Sequence, residues 1–279
     1  MIAPMLEAPS APTTFQARLF WTVRDGWTLT RREFTQMRHA PGELIGAVIF
    51  PGLMVILFGY VFGSAISVPG GGNYREYLMP GLFAMTALSG VMVCATMVSK
   101  DVEEGIIDRF KSMPMARSAL PFGRATTDLV TSTIGVGIMV VIGLLVGWQP
   151  HLGLAKTLLA FGLILLLRYA VAWVGVYIGL VVSAETADQL IPLVFPVSMI
   201  SNSFVPTSGM PVWLQYIADW NPVSALVQAC RDLFGNPGAL PAHASFPLVH
   251  PVATTIAWSL ALLLIFIPLA TRQYQQMTR

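Results

Sequence analysis

Few residues in this chain have the type and spacing needed to make or break bonds. His39, His151, His243 and His250 all fall outside the apolar stretches and share no metal-ligand spacing. Cys94 sits in an apolar stretch and Cys230 in a more polar one; they form neither a disulfide framework nor a zinc pattern, and both read as packing residues. The phosphate-cradling G-x-x-x-x-G-K-[ST], the zinc-protease H-E-x-x-H and the nucleophile-bearing G-x-S-x-G do not occur. Any nucleotide site is therefore expected on another chain.

The chemistry this sequence does concentrate is charge pairing. Residues 100–124, KDVEEGIIDRFKSMPMARSALPFGR, hold five of the 16 basic and four of the 14 acidic residues, between long apolar stretches. Ile106, Phe110 and Met113 recur at helical spacing, while Glu104, Asp108 and Lys111 take another face. The pattern predicts a short amphipathic helix over 102–113, stopped by Pro114, which cannot donate the next backbone bond. Charge this dense stays out of hydrocarbon. A solvated loop between membrane helices fits it, and so does a helix docked on a partner. In the docked reading Glu103, Glu104 and Asp108 meet basic groups of the partner. Ile106 and Phe110 fill an apolar pocket or anchor against the chain's own spans, and Gly105 allows close backbone approach.

Arg168 is the other residue that asks for a partner. It lies eleven residues past Lys156 and fourteen before Val182, inside a long apolar run. At about 1.5 Å per residue it is roughly 17–21 Å from either end, too deep to snorkel comfortably. Two roles fit: structural pairing with a carbonyl or an acidic group, or lining a transport path.

The elements that position these charges are membrane helices. The chain is 55% hydrophobic and 11% charged, where an ordinary soluble domain is about a quarter charged. Six apolar runs are long enough, or nearly so, to span: 44–63, 77–98, 129–147, 157–182, 190–205 and 252–270. The fifth is short and carries Pro192 and Pro196. Six spans place both termini on one side. Five arginines before the first span, five basic residues of the island, Arg272 and Arg279 then share that side, against Arg75, Lys156 and Arg231 opposite. The excess of basic residues marks it as cytoplasmic.

Residues 1–14 read as a disordered tail without the basic start and apolar core of a signal peptide. Residues 15–39 alternate an aromatic and apolar stripe (Phe20, Val23, Trp27, Phe34, Met37) with Arg18, Arg24, Arg31, Arg32 and Arg38. Such a helix suits the membrane interface; a soluble helix packed on another domain is the alternative. Between residues 206 and 251, Pro211 opens a short helix carrying Trp213, and Asn221 offers a cap to a second helix, with Pro222 at its first position, reaching about Phe234. Both pieces are too short to span. They read as re-entrant helices or as an ordinary external loop. Gly143 with Gly147 and Gly175 with Gly179 offer weak signals of close helix approach. Nothing indicates nucleic-acid readout, since anionic membrane lipid accounts for the basic residues.

Two of these stretches resemble a known family. Asp101, Glu103 and Gly105, then Asp108-Arg109, Ser112, Pro114, Arg117 and Gly123-Arg124, resemble the cytoplasmic coupling region of ABC exporter permeases of the second type, in particular the daunorubicin-resistance (DrrB-like) membrane subunits. Residues 204–233, FVPTSGMPVWLQYIADWNPVSALVQACRDL, resemble the extracytoplasmic segment of the same family. With the six-run pattern, the resemblance covers roughly residues 15 to 279. It implies an all-α integral membrane permease, a single transmembrane domain over 15–279 with a coupling region at 99–124, multi-pass in a bacterial cell membrane. It further implies a separate P-loop ATPase that holds ATP and magnesium, with no cofactor on this chain, and a second permease copy or homologue. The expected cargo is hydrophobic or amphipathic: a drug, a polyketide-like metabolite or a lipid. An intramembrane enzyme such as an acyltransferase would need polar catalytic residues gathered at one depth. A secondary transporter would need several buried ionisable groups.

Overall fold

The computed structural model describes residues 52–62, 71, 73–107, 119–236, 238, 240 and 244–277. The tail, the interfacial helix 15–39, the start of the first span, and Asp108, Arg109, Phe110, Pro114 and Arg117 lie outside them. The described residues are mostly helical, with no strand among them.

A helical run over 52–62 ends in a π-helical segment, Leu57–Phe62. Helices α1 (Tyr74–Leu88) and α2 (Gly90–Glu103) are one apolar run interrupted at Ser89. Then come α3 (Ala119–Val146), α4 (Leu154–Val181) and α5 (Ala184–Met199). Two short helices follow, α6 (Val212–Trp220) and α7 (Pro222–Phe234), then a single turn, α8 (Phe246–Val249), and the long α9 (Pro251–Gln276). Four stretches among the described residues are long and apolar enough to cross a membrane: Tyr74–Glu103, Leu120–Val146, Leu154–Val181 and Pro251–Gln276.

Several boundaries differ from the sequence reading. The second span extends from 77–98 to Tyr74–Glu103. The third helix begins at Ala119, not near residue 129. Arg124 and Asp128 do not end it, because each is neutralised by a partner on another helix. Where the fifth apolar run was expected over 190–205, the structure has the 16-residue helix α5, Ala184–Met199, which is not among those four stretches. Ser183 caps its start by accepting from the Thr186 amide, and two internal prolines remove backbone donors toward its end. The amphipathic helix expected over 102–113 does not begin as one piece. Helix α2 stops at Glu103, the chain turns at Glu104–Gly105, and helical geometry resumes only at 106–107.

Helix α4 is the hub. It packs most extensively on α2, then on α9, α3 and α7. It is buried along most of its length, whereas α3 and α9 keep most of their surface outside. That surface is apolar (Val141, Leu144 and Leu145 on α3; Leu260, Leu264 and Ile265 on α9), as a face toward acyl chains requires. Two cores form, one toward each end. Phe83, Trp148, Leu226 and Phe234 lie in one, packed as edge-on and tilted ring pairs. Cys94, Val98, Ile107, Trp173, Val176 and Tyr274 lie in the other. Cys94 and Cys230 are both free and buried, as packing residues are.

Candidate functional site

Three clusters collect the polar groups that the helices bury. In the middle of the bundle, Arg168 on α4 is 7% exposed. Its Nε and Nη2 donate to the two carboxylate oxygens of Asp128 on α3, at 2.7 and 2.6 Å. Its Nη1 donates to Ser89 Oγ at 2.8 Å and to the Thr86 carbonyl. The guanidinium thus bridges α3 to the break between α1 and α2. Gly90 makes room for it, since a Cβ there would meet Arg168 Nε at 2.8 Å. A forked cation facing a forked carboxylate is the geometry arginine satisfies and lysine does not. Of the two sequence readings, pairing is therefore present. Asp128 went unread as its partner because it stands where the apolar run begins.

The second cluster lies at the end of the bundle where α2 leaves and α3 enters. Asp101, 4% exposed, accepts from Arg124 Nε and Nη2, both at 2.7 Å. Glu103 accepts from the Ala184 amide at 2.8 Å, so it satisfies an orphan donor at the start of α5. Asp101 thus spends its carboxylate inside the bundle, while Glu103 holds the α5 start from an exposed position. Glu104 remains exposed and Ile106 half-buried, and Ile107, not singled out from the sequence, is buried in the core. Gly105 has φ +65° with open space where a Cβ would stand. Within this chain it supplies the left-handed turn.

At the opposite end, Asn221 and Pro222 do what their order suggests. The Asn221 side chain accepts from the Val223 amide, and Pro222 takes the first turn of α7. The same Asn221 amide donates to the Val197 and Ile200 carbonyls at 3.0 and 2.7 Å, closing the frayed end of α5. Pro211 caps α6, whose Trp213, Tyr216, Ile217 and Trp220 are exposed. The irregular stretch after α5 is tied down by Arg231 of α7, which is 2% exposed. Arg231 donates to the carbonyls of Tyr77, Asn202 and Ser203 and stacks on the Tyr77 ring at 3.6 Å. Burial pulls this guanidinium below its ordinary pKa, and the neighbouring Tyr77 opposes the shift. From sequence Arg231 looked like one more external basic residue. No group of three metal-binding side chains occurs among the described residues.

This is a bundle with two arginine–aspartate pairs inside it, a third arginine held by carbonyls, and a charged turn at one end. The family model for ABC-2 type transporters matches residues 24–234. The chain belongs to the ABC-2 type transporter family. Similar proteins include the daunorubicin resistance ABC transporter permease DrrB1 of Streptomyces coeruleorubidus, 27% identical over 252 residues, covering 89% of this chain and 86% of that one. Another is named as a transport permease, ycf38, in Cyanophora paradoxa, 28% identical over 256 residues, covering 88% and 86%. A third is named as the doxorubicin resistance ABC transporter permease DrrC of Mycobacterium tuberculosis (strain ATCC 25618 / H37Rv), 22% identical over 256 residues, covering 91% and 89%. This ABC-2 chain is an all-α, multi-pass membrane protein and a permease subunit of a transporter, not an enzyme.

Proposed function

We propose that this permease exports hydrophobic or amphipathic compounds, driven by a separate cytoplasmic P-loop ATPase that holds ATP and magnesium. Two relatives are named for resistance to daunorubicin and doxorubicin, which are amphipathic drugs, and that supports a drug, a polyketide-like metabolite or a lipid as cargo. Two permease copies, or this chain and a homologue, form the transport path between them. The single transmembrane domain over 15–279 makes six spans in a bacterial cell membrane with both termini inside. Residues 15–39 lie along the inner interface, and residues 206–251 re-enter the outer leaflet.

The observation that supports this most is the construction of the charged turn. Asp101–Arg124 ties α2 to α3, and Glu103 ties α2 to the start of α5, so whatever grips the turn pulls on three helices together. An ordinary solvated loop has no need of such anchoring. In this reading the ATPase is met by the exposed Glu103 and Glu104 with Gly105 and Ile106 beside them, and by residues beyond 107, including Asp108, Arg109, Phe110, Pro114 and Arg117, while Asp101 holds the turn from within. The capping of irregular backbone by Asn221 and Arg231 supports re-entry, because unpaired carbonyls are costly near hydrocarbon.

Topology is the accessible test. Single cysteines at Glu104 and at Ser208, both exposed positions, are introduced in a background lacking Cys94 and Cys230. Thr207 is unsuitable because it is buried. The cysteine at 208 reacts with an impermeant maleimide on intact cells, and the cysteine at 104 reacts only after lysis. Labelling of both from outside contradicts the arrangement.

A further inference from the structure

Beside Arg231 lies a cavity of about 180 Å³, lined among others by Tyr77, Asn202, Thr207, Ser208, Gln228 and Leu240. It opens past Ser208 and Leu240, which are exposed, and narrows to Asn202, Gln228 and Arg231, which are not. The polarity of its floor is unbalanced. Arg231 spends Nε and Nη2 on backbone carbonyls, while its Nη1 has no hydrogen-bond partner among the described residues. No carboxylate lines the cavity. Asp232, next in sequence, is turned to Gln228 at 2.9 Å. The Asn202 side chain, in a residue only 4% exposed, likewise makes no hydrogen bond among the described residues, and its Oδ1 is fully buried.

A buried cation that lines an open cavity with one donor nitrogen unspent, beside an amide whose donors are also unspent, is an incomplete site. Carbonyl dipoles stabilise the guanidinium in part. They leave it without a carboxylate in contact, in contrast to Arg168 and Arg124, each of which has its own aspartate. An oxyanion supplies what is missing: one oxygen for the free Nη1, and a second oxygen or a neighbouring hydroxyl for the Asn202 amide. Around this floor the apolar edges of Leu240, Leu248 and Pro206 suit an attached carbon chain better than a hydrated ion.

We propose that this cavity binds the oxyanion head, phosphate or carboxylate with an adjacent hydroxyl, of an anionic amphiphile. The inference goes beyond the exporter reading and does not depend on it, because it concerns equilibrium binding by the permease alone.

The test is calorimetry on the purified full-length permease in an uncharged maltoside micelle. It is titrated in turn with dihexanoyl phosphatidylglycerol, with sodium phosphate and with dihexanoyl phosphatidylcholine. The phosphatidylglycerol binds at least tenfold more tightly than the phosphatidylcholine. Binding of phosphate in competition with it identifies the head alone as the ligand, and silence toward phosphate identifies the intact amphiphile; both agree with the site. Arg231→Gln weakens the phosphatidylglycerol at least tenfold. Arg231 also holds the fold together, so Asn202→Asp is the second variant. It hands the guanidinium an internal carboxylate of nearly the same shape, keeps or raises the melting temperature, and abolishes the response. Equal affinity for the two lipids, no binding of either anion, or undiminished binding by a folded Asn202→Asp protein overturns the proposal. No ATPase or nucleotide is present, so failure here leaves the exporter reading untouched.

Discussion

Asp128→Asn lowers the melting temperature of the purified permease by roughly 10 °C or more, and Arg168→Met does the same. Each leaves the other half of a buried pair unmatched, which costs about 3–5 kcal/mol, and for a chain of this size each kcal/mol is worth roughly 2–4 °C. The pair is buried on both sides, with side chains 8% and 2% exposed. Arg168→Lys recovers only part of the loss. It keeps the charge but gives up the two-pronged contact with Asp128, and with it either Ser89 or Thr86. The double variant Arg168→Met with Asp128→Leu regains most of the melting temperature, because apolar replacement of an entire buried pair is often neutral or better. Efflux by that double variant then separates the two roles. Transport that returns with stability marks the pair as structural, whereas a stable but inactive protein marks it as part of the transport path. A single variant with unchanged melting temperature contradicts the buried pair.

Gly175→Ala is nearly as damaging, although it adds one methyl group. A Cβ at Gly175 would run into the Val91 carbonyl on α2 and come within 2.9 Å of Cys94 Cβ. One turn later a Cβ at Gly179 would stand 2.5 Å from the Ala95 carbonyl and 2.8 Å from Val98 Cβ. Backbone cannot swing aside as a long side chain can, so the helices must separate along the largest contact in the bundle. Overpacking of this kind costs about 1–3 kcal/mol per site, occasionally more, and Gly175→Ala with Gly179→Ala together should approach or exceed the loss of the ion pair. Gly162→Ala on the same helix is the control. Nothing lies within 4 Å of its Cβ position, so the change is neutral or slightly stabilising, since alanine in a helix gains about 0.5–1 kcal/mol over glycine. Thermal unfolding of the three proteins side by side reads the sign directly. A stabilising Gly175→Ala contradicts the close approach of α2 and α4.

How much of this was legible beforehand follows from how far each interaction reaches along the chain. The Asn221–Pro222 start of α7 and its end at Phe234 are local events, written in adjacent residues, and the structure agrees with both. Arg168 could be singled out because depth alone makes a charge expensive. Its partner could not, because Asp128 is 40 residues away at the edge of a charged stretch. The glycine spacing in α4 was visible, but the helix it admits was not. Arg231 was missed for the same reason as Asp128: its acceptors at residues 77 and 202–203 come from two distant segments. In the charged turn the residue types were legible and their bonds to other helices were not. Asp101 and Glu103 carry the same charge as Glu104, and only the packing of α3 and α5 distinguishes them.

If this permease moves its cargo at the expense of ATP hydrolysed on another chain, as proposed, transport depends on that chain and its nucleotide. Inside-out membrane vesicles are prepared from cells expressing the permease with or without its proposed P-loop ATPase partner, and uptake of a fluorescent amphipathic drug is followed. Uptake should require ATP and the ATPase. It should vanish when the lysine of the ATPase phosphate loop is replaced, and persist when the proton gradient is collapsed. Glu104→Ala with Asp108→Ala should reduce both uptake and ATPase recovery while the permease stays folded. Uptake that proceeds without ATP or the ATPase and stops with the proton gradient would contradict ATP-driven export and make the chain a secondary transporter.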